Sequence, residues 1–398
     1  MHYPNGSVKK SKLLPVIAIA VSCGLTLAGC TDLGAWDTER GFGVDGFGVD
    51  GFDWQYRLPL TFNPTGTTGA ETNIPIMVRI PAGILPTGSV NSHGTNLAFF
   101  AAPYQASSKP LPHTFSVWEP VGESIAWVRL DAFEEGVTRQ IWLYWGGEDA
   151  EVAQRPDEVW SEGYRVVMHF EDTDGEGTFS DTSGNGNHSI NSPYHTLPSS
   201  AAGSAGRSAL FDTNSDAVII PDSASIRTMA PITAVFLFNP SAAVDNARFL
   251  SKGDWYLSQD TSGSYQWKAE FQFGNPSGPA PYLLKEWAAP LPTVGLWTSV
   301  FLEFEGLNDF NTLRLYTDNT ISGIFNQGND GDAGPQDDDS AKWLAVGNAE
   351  FTGATRAVDG RIDELRIAES LRSATWRTVE YLSMTDQLVT RGSRERLD

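Results

Sequence analysis

From Ser264 to Phe273 the chain alternates polar and apolar residues without a break. Tyr265, Trp267, Ala269, Phe271 and Phe273 fall on one side, and Ser264, Gln266, Lys268, Glu270 and Gln272 on the other. Successive side chains of a strand point to opposite faces, so this pattern predicts a strand with one buried face. Val300, Leu302 and Phe304 repeat the period. Ser124 to Leu130 and Arg139 to Tyr144 are further β-rich runs, bounded by Gly, Pro, Asn and Asp clusters. Thr312 to Tyr316 leads into Asp318-Asn319, a hairpin-turn signal. One helix stands out near the C-terminus, where Ser373 can cap a short segment carrying Trp376, Val379 and Tyr381. Many short strands separated by turns predict an all-β chain, two β-sandwiches in tandem with a short C-terminal helix.

The first thirty residues read differently. Lys9, Lys10 and Lys12 precede a run from Leu13 to Leu27 that is mostly apolar and small. A basic start, a short apolar stretch and small residues at its end form a secretory signal, too short for a comfortable membrane span of about 20 residues. Leu27-Ala28-Gly29-Cys30 resembles the lipobox of bacterial lipoproteins. The resemblance implies removal of residues 1–29, acylation of Cys30, and a lipid anchor to a membrane. Thr31, rather than an acid, follows the cysteine, which favours the outer membrane or cell surface. The only other cysteine is Cys23, so the processed chain can form no internal disulfide.

The chain carries a net charge of −22, which argues against nucleic acid and against electrostatic docking on anionic lipid. Gly41-Phe42-Gly43-Val44-Asp45 repeats as Gly46-Phe47-Gly48-Val49-Asp50, so residues 30–52 are expected to be a Gly-rich tether. The formal G-x-G-x-x-G match within it lacks the strand and helix that a dinucleotide site requires.

Two family resemblances organise the rest. Trp54-Gln55-Tyr56-Arg57, Leu97-Ala98-Phe99-Phe100, Leu111-Pro112-His113, Trp127-Val128-Arg129 and Ile141-Trp142-Leu143-Tyr144-Trp145-Gly146-Gly147 occur in an order that resembles domain-of-unknown-function family 2341. Asn96 stands where that family usually has an acid. The resemblance implies a small β-sandwich over 53–150, in a family some of whose members are related to biopolymer-transport proton channels. After a linker at 151–163, the turn Asp181-Thr182-Ser183-Gly184-Asn185-Gly186-Asn187-His188 and the runs Ala209–Asp212, Ala217–Pro221, Leu313–Asp318 and Gly360–Ile367 resemble the concanavalin A-like, laminin-G-like jelly rolls. That implies a second sandwich over 164–388, leaving 389–398 as a tail. The fold hosts lectins, hydrolases and adhesion modules, so it does not assign an activity.

Glucanases of this fold carry clustered acids on one strand, in a pattern like Glu-x-Asp-x-x-Glu. Here Arg361 occupies the first acid position before Ile362-Asp363-Glu364, and the set is incomplete. Neither a G-x-S-x-G elbow nor an H-E-x-x-H helix is present, and the six histidines show no ligand-like spacing. The sequence therefore leads to the expectation that the chain is not an enzyme. Asp363 is placed by simple alternation on the face of Leu365 and Ile367, where a buried carboxylate needs a partner. Calcium, a hard cation bound by several oxygens, would supply one. Asp181, Asn187 and Asp172 are the expected companions of Asp363, and turn geometry alone is the alternative role for these residues. Asn329-Asp330-Gly331-Asp332 and Asp337-Asp338-Asp339 read as solvated acidic loops.

Sugar binding calls for aromatic faces flanked by polar groups. Tyr265 and Trp267 lie on the apolar strand face and are set aside. Trp255, Tyr282 and Trp287 fall in loop-like segments and are the candidate platform. The expected function is a non-catalytic, membrane-anchored surface protein that recognises polysaccharide or glycoconjugate. The alternatives are an envelope scaffold for a protein partner and a degenerate glycoside hydrolase.

Overall fold

The computed structural model describes residues 53–397, apart from 64, 135, 148–149, 172–176, 254, 262, 264, 275–281, 330–334 and 351–355. Cys30, the signal and the tether lie outside the described residues, as does Asp172. Among the described residues no helix is long and apolar enough to cross a membrane.

The chain is all-β, with two sandwiches in tandem. In the first, Tyr56–Phe62, Arg139–Trp145 and Leu97–Phe100 make one sheet, and Glu71–Ile80, Ser124–Phe133 and His113–Val117 the other. Residues 389–398, expected as a tail, instead add two short strands to the first sheet. Val389–Arg391 and Glu395–Arg396 both pair with Tyr56–Phe62. Arg57 fixes the last of them through Glu395 at 2.6 Å. The linker expected at 151–163 is also structured. Pro156–Val159 forms a single helical turn, and Val159 and Trp160 are buried.

His113 sits in this first core, its ring edge-on to Phe99 and Phe115. Its Nδ1 lies 3.3 Å from the Leu111 carbonyl. Burial, helped by Arg155 and opposed by the Leu111 carbonyl, lowers its pKa to about 4. The unfolded chain takes up this proton near pH 6.5, whereas the folded chain resists it. Stability from this group is complete above pH 6.5 and is lost as pH falls towards 4, by up to about 3 kcal/mol. His113→Phe is expected to flatten the pH dependence of urea unfolding across that window. A slope identical to wild type would assign the acid sensitivity to another group.

In the second sandwich an eight-stranded sheet is built around Ile232–Ala242, Asp359–Ala368 and Thr298–Phe304. Opposite it lies a seven-stranded sheet, in the order Val218–Ile220, Leu344–Val346, Arg248–Lys252, Trp255–Gln259, Trp267–Gln272, Tyr282–Trp287, Ile324–Asn329. The core between them holds Phe236, Phe249, Trp255, Trp267, Phe271, Trp287 and Phe304. Strand Trp267–Gln272 shows the expected alternation of buried and half-buried residues. The Asp318-Asn319 turn joins two paired strands with both residues at positive φ, as a tight hairpin requires.

The far face of the eight-stranded sheet continues into the first sandwich. Val235, Leu237, Phe301 and Tyr316 share one apolar cluster with Trp127, Trp160 and Leu130. Helix Ala374–Met384 adds Trp376 and Val379 to it, and its first turn is capped by Ser373, which accepts from the Trp376 amide at 3.0 Å. A β-bulge decides what else reaches this junction. Asp363 pairs with Leu237 and Arg366 with Val235, so two residues, Glu364 and Leu365, stand opposite Phe236. Glu364 has φ +52. The bulge shifts the side-chain phase by one residue. Ile362, Leu365 and Ile367 therefore face the sandwich core, while Asp363 and Arg366 face the junction. Simple alternation had put Asp363 with Leu365 and Ile367; the bulge corrects that.

At the junction Arg366 is fully buried. It donates to Glu380 at 2.6 Å and Glu364 at 2.8 Å, and its guanidinium lies 4.6 Å from the Trp127 ring centre. Glu364 also meets His169 Nδ1 at 2.9 Å. Burial alone would raise the Glu364 pKa, but His169 and Arg366 overcome it and hold the group low.

Candidate functional site

The strand register of the seven-stranded sheet defines its outer face. Val218, Ile220, Leu344, Val346, Leu257, Trp267, Ala269 and Phe271 point into the core. Their neighbours in sequence point out. Ile219 stands opposite Ala345, Ala345 opposite Ser251, Ser251 opposite Tyr256, Tyr256 opposite Glu270, and Glu270 opposite Leu284. A second outward row runs Arg248, Ser258, Lys268, Glu286, Asn326. Gln272 and Tyr282 form a third pair beside them.

Polar groups on this face are linked hand to hand. Ser251 donates to Glu350 at 2.5 Å and accepts from Arg248 at 2.9 Å. The Arg248 guanidinium lies over the Tyr256 ring at 4.1 Å. Tyr256 donates to Glu270 at 2.9 Å, and Gln272 donates to the other carboxylate oxygen at 3.4 Å. Lys268 approaches Glu270 to 3.6 Å. Burial, then Glu270, push the Tyr256 hydroxyl well above its ordinary pKa, so it stays a hydrogen-bond donor. Burial lowers Arg248, with Arg356 adding to the effect and Tyr256, Glu350 and Glu270 opposing it. A carboxylate offers about four acceptor positions, so Glu270 retains capacity for an incoming hydroxyl. The face carries Arg248 and Lys268 beside Glu270 and Glu350, with Glu286 as a third carboxylate in the second row.

Of the three aromatic residues expected as a platform, two are corrected. Trp255 and Trp287 are each 1% exposed and belong to the core. Trp255 stacks on Phe271, and Phe271 on Phe304 across the sandwich. Tyr282 does lie on the outer face, half-buried. Sequence reasoning missed Tyr256, Glu270 and Arg248. The signal for Glu270 was present, because the 264–273 alternation already put it opposite the buried face. No comparable alternation marks Trp255-Tyr256-Leu257, where two apolar residues flank an aromatic one.

The expected calcium donors that are described, Asp181, Asn187 and Asp363, do not gather at one point. Asp181 accepts the amides of Val167, Ser183 and Asn187, each at 2.9 Å, and the Ser183 hydroxyl at 2.8 Å. Asn187 donates to the Arg165 carbonyl at 2.6 Å and to Ser225 at 2.9 Å. These contacts build the turn itself. Asp363 lies at the junction instead, where one oxygen accepts the amides of Ser204 and Ala205 at 2.7 and 3.0 Å. Burial, then Glu364, raise its pKa well above the carboxylate range. Among the described residues no three His, Cys, Asp or Glu side chains form a metal-holding group. In the second acidic run, Asp339 is buried rather than solvated, and pairs with the fully buried Lys252 at 2.7 Å.

No family model and no curated protein match the chain, so nothing adds to the residues that resemble family 2341. Among solved structures it is similar to a Trypanosoma rangeli sialidase in complex with a difluoro-KDN, at 11% identity and a TM-score of 0.38, over 63% of this chain and 41% of that one. It is similar to a candidate carbohydrate-binding protein from Bacteroides ovatus, at 13% identity and a TM-score of 0.33, over 83% and 81%. The CBM40 of a Ruminococcus gnavus IT-sialidase, bound to α2,6-sialyllactose, is similar at 12% identity and a TM-score of 0.20, over 36% and 79%. The chain spans about two fifths of the length of the sialidases it matches. The expectation that the chain is not an enzyme is corrected here, since sialidases recur among the similar structures. That expectation rested on the absence of a few motifs, and sandwich folds carry catalytic groups in many other arrangements.

Proposed function

We propose that the outer face of the seven-stranded sheet recognises a neutral carbohydrate. The chain of hydrogen-bonding groups from Glu350 to Gln272, half-buried apart from the fully buried Ser251 and with Tyr256 at its centre, carries this reading. Such a surface presents donors and acceptors at fixed spacing, as sugar hydroxyls require, beside aromatic rings that pack on the apolar sugar face. Its three carboxylates against two cations, on a protein with net charge −22, favour neutral over polyanionic chains. The test is an array of neutral and anionic polysaccharides probed with the full chain. Wild type should bind neutral glycans, and Tyr256→Phe and Glu270→Gln should each weaken binding about ten-fold or more, the worth of one hydrogen bond to a charged group. Unaltered binding by both variants would remove this face from consideration.

The proposal includes export and display on a lipid anchor at Cys30, resting on the Leu27-Ala28-Gly29-Cys30 tetrapeptide. Metabolic labelling with a palmitate analogue should mark wild type and not Cys30→Ser. Equal labelling of both would end the assignment. The second reading, a protein partner, draws on Ile321, Ile324 and Phe325, exposed on short strands at the ends of the two sheets. Silence of a folded chain across the whole array would favour it.

A further inference from the structure

We infer that this face is one stretch of a longer track for a linear oligosaccharide, with Tyr194 and Trp343 as an aromatic platform at its far end. The inference rests on the reading of the face as a sugar site, and adds its length and a second anchoring point. The outward row continues past Ser251 to Ala345 and Ile219. There Ser251, Ala345 and Ile219 have no solvent exposure, so the surface at this end is made by the residues that cover them. Ala217, Ile219 and Ala345 form a small apolar cluster separate from the main core, with Ile190 and Trp343 packed against it. Trp343 is two residues from Ala345 on the same strand run, so alternation puts it on the same outward side. The Tyr194 ring stands 6.3 Å from it with the planes 32° apart, and Tyr194 is 55% exposed.

The segment bearing Tyr194 is pinned on both sides. Ile190 bridges to Ile219 and Thr196 to Asp216. The Tyr194 amide donates to Ser192, and His195 Nε2 lies 3.0 Å from the Ala349 carbonyl. Tyr194 is thus presented in place, beside an aromatic neighbour, with 55% of the residue's surface left in water. An aromatic surface held in this way suits the apolar face of a pyranose ring.

Distance sets the length of the ligand. Four inter-strand steps separate Leu344–Val346 from Tyr282–Trp287, about 19 Å at roughly 4.8 Å per step. A pyranose unit in an extended chain advances by about one such step. A glycan lying across the strands would place about four or five units between Trp343 and Leu284. Its middle would meet Tyr256 and Glu270, and one end would rest on Tyr194 and Trp343.

The experiment titrates the full chain with cello-, xylo-, manno- and laminari-oligosaccharide ladders from two to six units. Affinity should rise at least ten-fold from dimer to pentamer and then level off. Tyr194→Ala should remove most of that gain, whereas Glu270→Gln should weaken every length. Affinity independent of length, or equal loss at all lengths in Tyr194→Ala, would overturn the track while leaving the sugar face standing. Absence of binding to every ladder, or binding that Glu270→Gln leaves untouched, would overturn the track together with the reading beneath it.

Discussion

Arg366→Met is expected to destabilise the folded chain by about 3–5 kcal/mol, the cost of breaking a buried ion pair from one side. Arg366 has no solvent exposure, and its partners Glu364 and Glu380 are buried with it. Removing the cation leaves two carboxylates in the apolar junction that holds Trp127, Trp160 and Trp376. His169 would still face Glu364, with Arg79 further off. Adding Glu364→Gln and Glu380→Gln to the Arg366→Met background should recover most of the loss, because neutral amides are far cheaper to bury than charges. Urea unfolding of the single and triple variants reads both effects. A single variant within about 0.5 kcal/mol of wild type, the range of an ordinary surface change, would show that the junction is open to water.

Trp255→Ala is expected to cost a similar amount, about 3–5 kcal/mol, by opening a cavity in the second core. The Trp255 ring stacks on Phe271 at 5.5 Å, and Phe271 on Phe304 at 3.9 Å, so the loss touches both sheets. Under conditions where the variant remains folded, its affinity for glycan should match wild type. A binding platform would behave in the opposite way, losing affinity with little change in unfolding. Measuring urea unfolding and glycan affinity on one preparation separates the two roles. Loss of binding at unchanged stability would return Trp255 to the surface.

These two residues also show which parts of the molecule were legible in the sequence. Regular alternation was readable wherever it ran undisturbed, as in Trp267–Gln272, and the Asp318-Asn319 turn and the Ser373 cap follow from local chemistry. Trp255 was not readable, because it begins a strand whose apolar and outward residues are both aromatic. Asp363 was misplaced for a different reason. A bulge at Glu364 reverses the phase of its strand, and a bulge with a non-glycine residue at positive φ leaves no composition signal. The strands at residues 389–396 were hidden because their partner lies more than 300 residues earlier, and nothing local requires that pairing.

The candidate site was half visible. Lys268, Glu270 and Gln272 were already assigned to the outward side of their strand. Arg248, Ser251, Tyr256 and Glu350 come to them only through the register of neighbouring strands and a loop about 100 residues away. A turn such as Asp181–Asn187 announces itself in sequence, while a surface assembled from single residues on several strands does not.

The most direct test of the central claim is isothermal titration of the full chain with the neutral polysaccharide that binds it best. Wild type and the Tyr256→Phe/Glu270→Gln double variant are compared at matched unfolding midpoints. The account requires saturable binding by wild type and no measurable binding by the double variant. Equal affinity in both would contradict it and place the ligand on another surface.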